Sequence, residues 1–288
     1  MEFMILTGLS GAGKTNALHA MEDIGFYCVD NLPPLLLDTF YDLCENSTDK
    51  RMKKVAVAVD ARSGEMVTEI PDVLSRIRVD GKRFKILFLD AKPDVLLNRY
   101  KETRRKHPLI GEFAAGSVED AVNLECELLK SVKEMADYVI DTTYMGPQQL
   151  RERVGAVFVS GDDDAFLVTF VSFGFKYGIP SEADLIFDVR CLPNPFYVKD
   201  LKTLTGLDEP VHDYIMSYDV SRGYIKRVLD YLDYSLPLYQ QEGKSELVVG
   251  IGCTGGKHRS VTVARLLNAH LIEHNHRSAI HHRDIWKA

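Results

Sequence analysis

The five cysteines of this chain, Cys28, Cys44, Cys126, Cys191 and Cys253, are odd in number, widely spaced and without a single C-x-x-C pair. That pattern suits neither a disulfide framework nor a cysteine zinc site, and a reducing cytoplasm is the expected location. No apolar run approaches the length of a membrane span. The N-terminus passes from one short apolar strand into a glycine loop rather than reading as a cleavable signal. An excess of positive charge is also missing: the net charge is −7, which argues against a surface built as a whole to coat nucleic acid while permitting a local basic patch. There are no internal repeats and no low-complexity tract. Asn-Lys-x-Asp, the usual guanine-reading motif of switch GTPases, does not occur.

What is present is the composition of a soluble globular protein, 45% hydrophobic and 27% charged over 288 residues, long enough for two domains. The first half alternates β and α. Apolar runs at 4–7, 26–29, 54–60, 85–90 and 138–141 read as strands, and the runs at 54–60 and 85–90 are continuously apolar, as strands covered on both faces should be. Helical spacing follows Lys14 and recurs at 35–44, 94–106 and 119–136. The expected architecture is α/β: a parallel sheet with helices on both faces, followed by a smaller α/β domain. The polar stretch Ser160-Gly161-Asp162-Asp163-Asp164 is the best linker, giving domains of 1–160 and 165–288. Beyond it, strands are expected at 166–173, 185–189 and 247–251, and helices near 197–205, 220–233 and 260–273.

The first strand runs into Gly8-Leu9-Ser10-Gly11-Ala12-Gly13-Lys14-Thr15, a G-x-x-x-x-G-K-[ST] loop placed between strand and helix as that motif requires. Glycines let the backbone curl around phosphate oxygens, Lys14 is placed to meet the β- and γ-phosphates, and Thr15 offers a hydroxyl to Mg²⁺. A second carboxylate near the metal is expected from Asp60 or Asp90, each ending an apolar strand. Arg99, Arg104 and Arg105 lie at a helix end near Thr103 and His107. They are placed either to bring guanidinium groups onto a transferring phosphoryl, as a kinase lid does, or simply to solvate the helix end.

A second strand–loop–helix pattern, Cys253-Thr254-Gly255-Gly256-Lys257-His258-Arg259-Ser260, sits near the other end. Amides at the helix start with Lys257, His258 and Arg259 would form an anion site. The spacing Cys-x₅-Arg-Ser also fits the loop of cysteine phosphatases, although no general acid is singled out; a tight structural turn is the third reading. Lys176 and Arg190 follow strand-like runs and are candidates for the same crevice. The tail from Cys253 is locally basic, and its histidines His270, His274 and His276 read as a solvated helix end rather than a metal site.

These residues, with Gly25-Phe26-Tyr27-Cys28-Val29-Asp30-Asn31-Leu32-Pro33, Phe173-Gly174-Phe175-Lys176-Tyr177-Gly178-Ile179-Pro180, Phe187-Asp188-Val189-Arg190, Leu192-Pro193-Asn194-Pro195, Thr205-Gly206-Leu207-Asp208 and the Gly250-Ile251-Gly252 that leads into Cys253, resemble the RapZ/YvcJ family of bacterial nucleotide-binding proteins over nearly the whole chain. The resemblance implies a kinase-like domain that binds ATP and GTP with Mg²⁺ and hydrolyses them weakly. It also implies a C-terminal domain that, in some members, binds an amino-sugar phosphate and small RNAs and adapts the RNA to a nuclease. Nucleotide sites carry over onto residues 8–15 and onto Asp60-Ala61-Arg62-Ser63, where Ser63 departs from the family's frequent Asn. RNA-binding members end in a Lys/Arg-rich tail, from which His281-His282-Arg283-Asp284-Ile285-Trp286-Lys287-Ala288 departs. A non-enzymatic RNA adaptor and a small-molecule kinase are the alternatives to a nucleotide hydrolase with a ligand-sensing domain. Self-association as a homo-oligomer stays open.

Overall fold

The computed structural model describes residues 1–60, 69–103, 106–110, 116–158, 166–242 and 244–287. The chain divides into two compact units, Met1–Asp163 and Asp164–Ala288. The first carries β1 (Glu2–Gly8), α1 (Lys14–Asp23), β2 (Tyr27–Val29), α2 (Leu37–Glu45), β3 (Lys54–Ala58), α3 (Ile70–Val79), β4 (Lys85–Asp90), α4 (Pro93–Thr103), α5 (Val118–Leu128), α6 (Lys130–Glu134), β5 (Tyr138–Asp141) and α7 (Pro147–Phe158). Its five strands are all parallel in the order β2-β3-β1-β4-β5. The runs at 54–60 and 85–90 are unbroken apolar because the central strands are buried on both faces: Val55, Ala56, Val57, Ile86, Leu87 and Leu89 are all inaccessible to solvent.

Strand order decides where a ligand can sit. The chain leaves β1 towards one edge of the sheet and leaves β3 across β1 towards the other edge. Adjacent strands whose connections diverge leave a crevice at their carboxyl ends. The glycine loop after β1 and Asp60 after β3 are therefore brought together by topology, although they stand far apart in sequence.

The second unit repeats that logic. It consists of β6 (Leu167–Gly174), β7 (Leu185–Asp188), α8 (Glu209–Met216), α9 (Asp219–Gln241), β8 (Glu246–Cys253), α10 (Arg259–Glu273) and β9 (Arg277–His282). The sheet is parallel, ordered β7-β8-β6-β9. Here β6 and β8 are the adjacent strands with diverging connections, so the loop at 174–178 meets the loop at 253–259. The backbone of Lys176 donates to the carbonyl of Thr254 at 3.3 Å. At Gly174 any Cβ would lie 2.6 Å from the carbonyl carbon of Gly255, so only glycine allows the two loops to touch.

Several elements differ from expectation. The helical spacing near 197–205 forms only a short 3₁₀ turn at Pro195–Tyr197, and the helix begins instead at Glu209. The cause is local: Asp208 accepts from both the backbone and the hydroxyl of Thr205, closing a turn before the helix starts. Helices α3 and α7 and strand β9 stand outside the expected elements. β9, Arg-Ser-Ala-Ile-His-His, is a half-buried edge strand with no apolar run to mark it. The proposed linker residues Ser160, Gly161, Asp162, Asp163 and Asp164 lie outside the described residues. Among the described residues no helix is long and apolar enough to cross a membrane.

Candidate functional site

The loop at residues 8–15 bends around its own amides. Gly8 adopts φ +134°, and a Cβ there would stand 2.1 Å from the carbonyl oxygen of Leu89 on β4; no other residue fits beside that strand. α1 then starts from Gly13 with no side-chain cap and no acidic residue in its first turn. By contrast α5 is capped by Ser117 and carries Glu119 and Asp120 at its start. The first amides of α1 are thus left for an anion, which the helix dipole also favours.

Lys14 is nearly buried. Its ammonium donates to the carbonyls of Gly8 at 2.6 Å and Leu9 at 3.2 Å and lies 3.3 Å from the carboxylate of Asp60, itself 4% exposed. Asp90, the other strand-end acid, accepts instead from Lys133 of α6 at 2.6 Å. Geometry therefore singles out Asp60 as the carboxylate facing the loop. A cleft of about 850 Å³ lies over Ser10, Gly11, Ala12, Gly13, Lys14 and Thr15, and Asp60, Arg99, Met145 and Pro147 also line it. The Thr15 hydroxyl and the Asp60 carboxylate, hard oxygen donors lining one cleft, fit a magnesium ion.

Arg99 is not a solvated helix end. It donates to the carbonyl of Gly11 at 3.0 Å, and to the hydroxyl and carbonyl of Thr142 at 3.1 and 2.6 Å, bracing the loop against the end of β5. Burial pushes its pKa below the ordinary arginine value, opposed by Asp141 and then Glu102. Arg104, Arg105, Ala61, Arg62 and Ser63 lie outside the described residues.

In the second unit, Cys253 is buried, and its sulfur accepts from the amide of Gly256 at 3.2 Å and lies 3.2 Å from the Ser260 hydroxyl. α10 starts without a side-chain cap or an early acid. The cations nearby are already engaged. Arg259 donates to the carbonyls of Arg190 and Leu192 at 2.7 and 3.1 Å and to the Thr254 hydroxyl at 3.4 Å. Lys257 donates to the carbonyl of Thr203, Arg190 pairs with Asp188 and lies over the Phe175 ring, and Lys176 lies over Tyr177. His258 is buried with its pKa lowered, first by desolvation and then by Lys257, against the carbonyls of Leu204, Lys202 and Leu201. Thr254, Gly255 and Gly256 complete the turn. His270 pairs with Asp233 and stacks on His274, as in a structural helix end.

A titratable group also sits at the end of edge strand β9, beside β6. His282 of β9 has its Nδ1 2.8 Å from the Ser172 hydroxyl, and burial, then Arg265, pulls its pKa from 6.5 to about 4. Between those values the unfolded chain binds the proton and the folded one does not. This contribution to stability is present above pH 6.5 and is lost as pH falls towards 4. Moving from pH 7 to pH 5 should cost the second unit about 2 kcal/mol through this residue. His282→Asn, which keeps an acceptor for Ser172, should reduce the pH dependence of the urea midpoint over that interval; an unchanged dependence would contradict it.

Residues 1–162 match the model of the RapZ-like N-terminal domain and residues 166–286 that of the RapZ C-terminal domain. A nucleotide-binding protein of Caldicellulosiruptor bescii is 47% identical over 288 residues, 100% of this chain and 98% of its own length. One from Clostridium botulinum is 44% identical over 287 residues, covering 99% and 96%. Among solved structures, the shikimate kinase of Acinetobacter baumannii in complex with shikimate is similar over 56% of this chain and 95% of its own, at 15% identity and a TM-score of 0.37. Matched by family models in both units and by relatives along its full length, the chain belongs to the RapZ-like family.

Proposed function

We propose that the first unit binds ATP and GTP with Mg²⁺ and hydrolyses them slowly in the cytoplasm, and that the second senses a phosphorylated ligand. The observation that carries the first part is the assembly of an uncapped helix start, Lys14, Thr15 and Asp60 around one cleft. In it the amides and Lys14 hold the β- and γ-phosphates, Thr15 and Asp60 hold the metal, and Arg99 fixes the loop and adds positive charge at its rim. The names of the curated relatives support nucleotide binding.

For the second unit, the uncapped start of α10 and the glycine-built turn before it support a phosphate site at residues 254–260. An amino-sugar phosphate is the family-level candidate, and a regulatory output follows from pairing such a site with a slow nucleotide hydrolase. Catalysis by Cys253 is the weaker reading, because Arg259 is turned onto carbonyls rather than towards a phosphate held over the sulfur. Calorimetric titration of the full chain with ATP and GTP, with and without Mg²⁺, together with phosphate release, tests the proposal. Saturable binding of both nucleotides that strengthens with Mg²⁺ is expected; heat-silent titrations with no turnover would overturn it.

A further inference from the structure

Behind the phosphate-binding loop lies a buried polar network that the proposed binding does not itself use. Glu125 of α5 is inaccessible to solvent. One of its oxygens accepts from the backbone amide of Ser10 at 2.8 Å and the other from the Ser10 hydroxyl at 2.7 Å. The first oxygen also lies 3.2 Å from Nε2 of His107, a ring fully buried with it. The tautomer follows from the other ring nitrogen: Nδ1 accepts from the amide of Leu109 at 3.2 Å, so the ring proton is on Nε2 and is donated to Glu125. A second path closes the circuit. The His107 and Tyr100 rings are 5.0 Å apart between centroids, and Tyr100 stands against Gly11, where a Cβ would touch it at 3.5 Å.

Residues on each side of this circuit face the nucleotide cleft: Ser10 and Gly11 from the loop, Lys106 and Pro108 from the segment carrying His107. A buried carboxylate costs several kcal/mol unless well bonded, and among the described residues its partners are donors from these two segments. Shifting Ser10 alone would break both of its bonds to Glu125, and shifting the 106–110 segment alone would break the bond from His107.

Resting on the nucleotide reading above, we propose that Glu125 and His107 are positioning residues that lock the segment 106–110 to Ser10, so that the two walls of the cleft take up the nucleotide as one unit. Neither touches the phosphates; they act through the loop.

The test is a cycle on the full chain, titrated with Mg²⁺-ATP. Ser10→Ala and His107→Phe, the latter keeping the ring against Tyr100, should each weaken binding about tenfold. The double variant should be little worse than either, because both act through Glu125. Glu125→Gln can still accept from the Ser10 amide and His107 with its oxygen while its NH₂ faces the Ser10 hydroxyl, and should stay within about threefold of wild type. Glu125→Ala should fall furthest; where it fails to fold, the Ser10 and His107 cycle decides. Hydrogen exchange supplies the readout that mere stability would not move: nucleotide should slow exchange of the Leu109 amide in the wild type and much less in Ser10→Ala. Multiplicative losses of about a hundredfold in the double variant, or equal protection of Leu109 in both proteins, would overturn the proposal. A folded wild type that binds no nucleotide would overturn the nucleotide reading instead, and this inference with it.

Discussion

Lys14→Ala is expected to weaken Mg²⁺-nucleotide binding by at least about a hundredfold and to abolish turnover. A lysine in this position makes two charge-assisted bonds to phosphate oxygens, each worth about 1.5–3 kcal/mol, and about 1.4 kcal/mol corresponds to tenfold in affinity. The rest of the cradle is neutral amide, so nothing on the loop replaces the charge. The substitution also acts without ligand. It leaves Asp60, 4% exposed, without its neighbouring ammonium at 3.3 Å and removes a charged donor from the carbonyls of Gly8 and Leu9, the latter keeping the Ala12 amide at 3.0 Å. A modest loss of stability is therefore expected as well, and circular dichroism must show a folded protein before binding is read. Lys14→Gln, which keeps a neutral donor near those carbonyls, separates the two effects: it should recover more of the stability than of the affinity. Affinity and turnover at wild-type levels in folded Lys14→Ala would remove the phosphate role of the loop.

How much of this was legible beforehand follows from how each feature is encoded. The loop at 8–15 is contiguous, and each residue type is demanded by local backbone geometry or by phosphate, so the string carries it. The choice between Asp60 and Asp90 is not local. Both end apolar strands, and only the sheet order, with Lys133 of α6 reaching Asp90, separates them. Glu125 bonds Ser10 across 115 positions of sequence. On α5 it reads as one more charged residue of an acidic helix, and nothing in its spacing marks it as buried. Arg99 gave a signal, a basic cluster near the cleft, but not its target, since Gly11 and Thr142 meet it only through folding. The edge strand β9 lacks the apolar run that exposed its neighbours. Residues 61–63 and 104–105, which carried further expectations, lie outside the described residues.

In the second unit the sequence marks Arg259 but not what it touches in the fold, and this residue yields the other large effect. Arg259 follows a glycine turn at the start of a helix, which suggests a guanidinium held out to a phosphate. Yet it is 5% exposed and spans the carbonyls of Arg190 and Leu192, tying the start of α10 to the turn after β7. Arg259→Ala should therefore cost the second unit about 3 kcal/mol, since charged hydrogen bonds are lost and at least one buried carbonyl keeps no partner. Denaturant unfolding of the full chain, followed by a probe of this unit such as the fluorescence of Trp286, reads that loss directly. Binding of a sugar phosphate should weaken too, because the same brace shapes the turn at residues 254–260. Arg259→Lys separates shape from charge: a single ammonium keeps the charge beside the loop but cannot span both carbonyls as a planar guanidinium does. If the residue acts mainly as a brace, the Arg259→Lys variant behaves like the alanine variant in both stability and affinity. If the guanidinium swings onto the anion on binding, Arg259→Lys retains affinity while losing stability. An unfolding midpoint unchanged in Arg259→Ala would contradict the brace, and wild-type affinity in the same variant would remove Arg259 from the ligand site altogether.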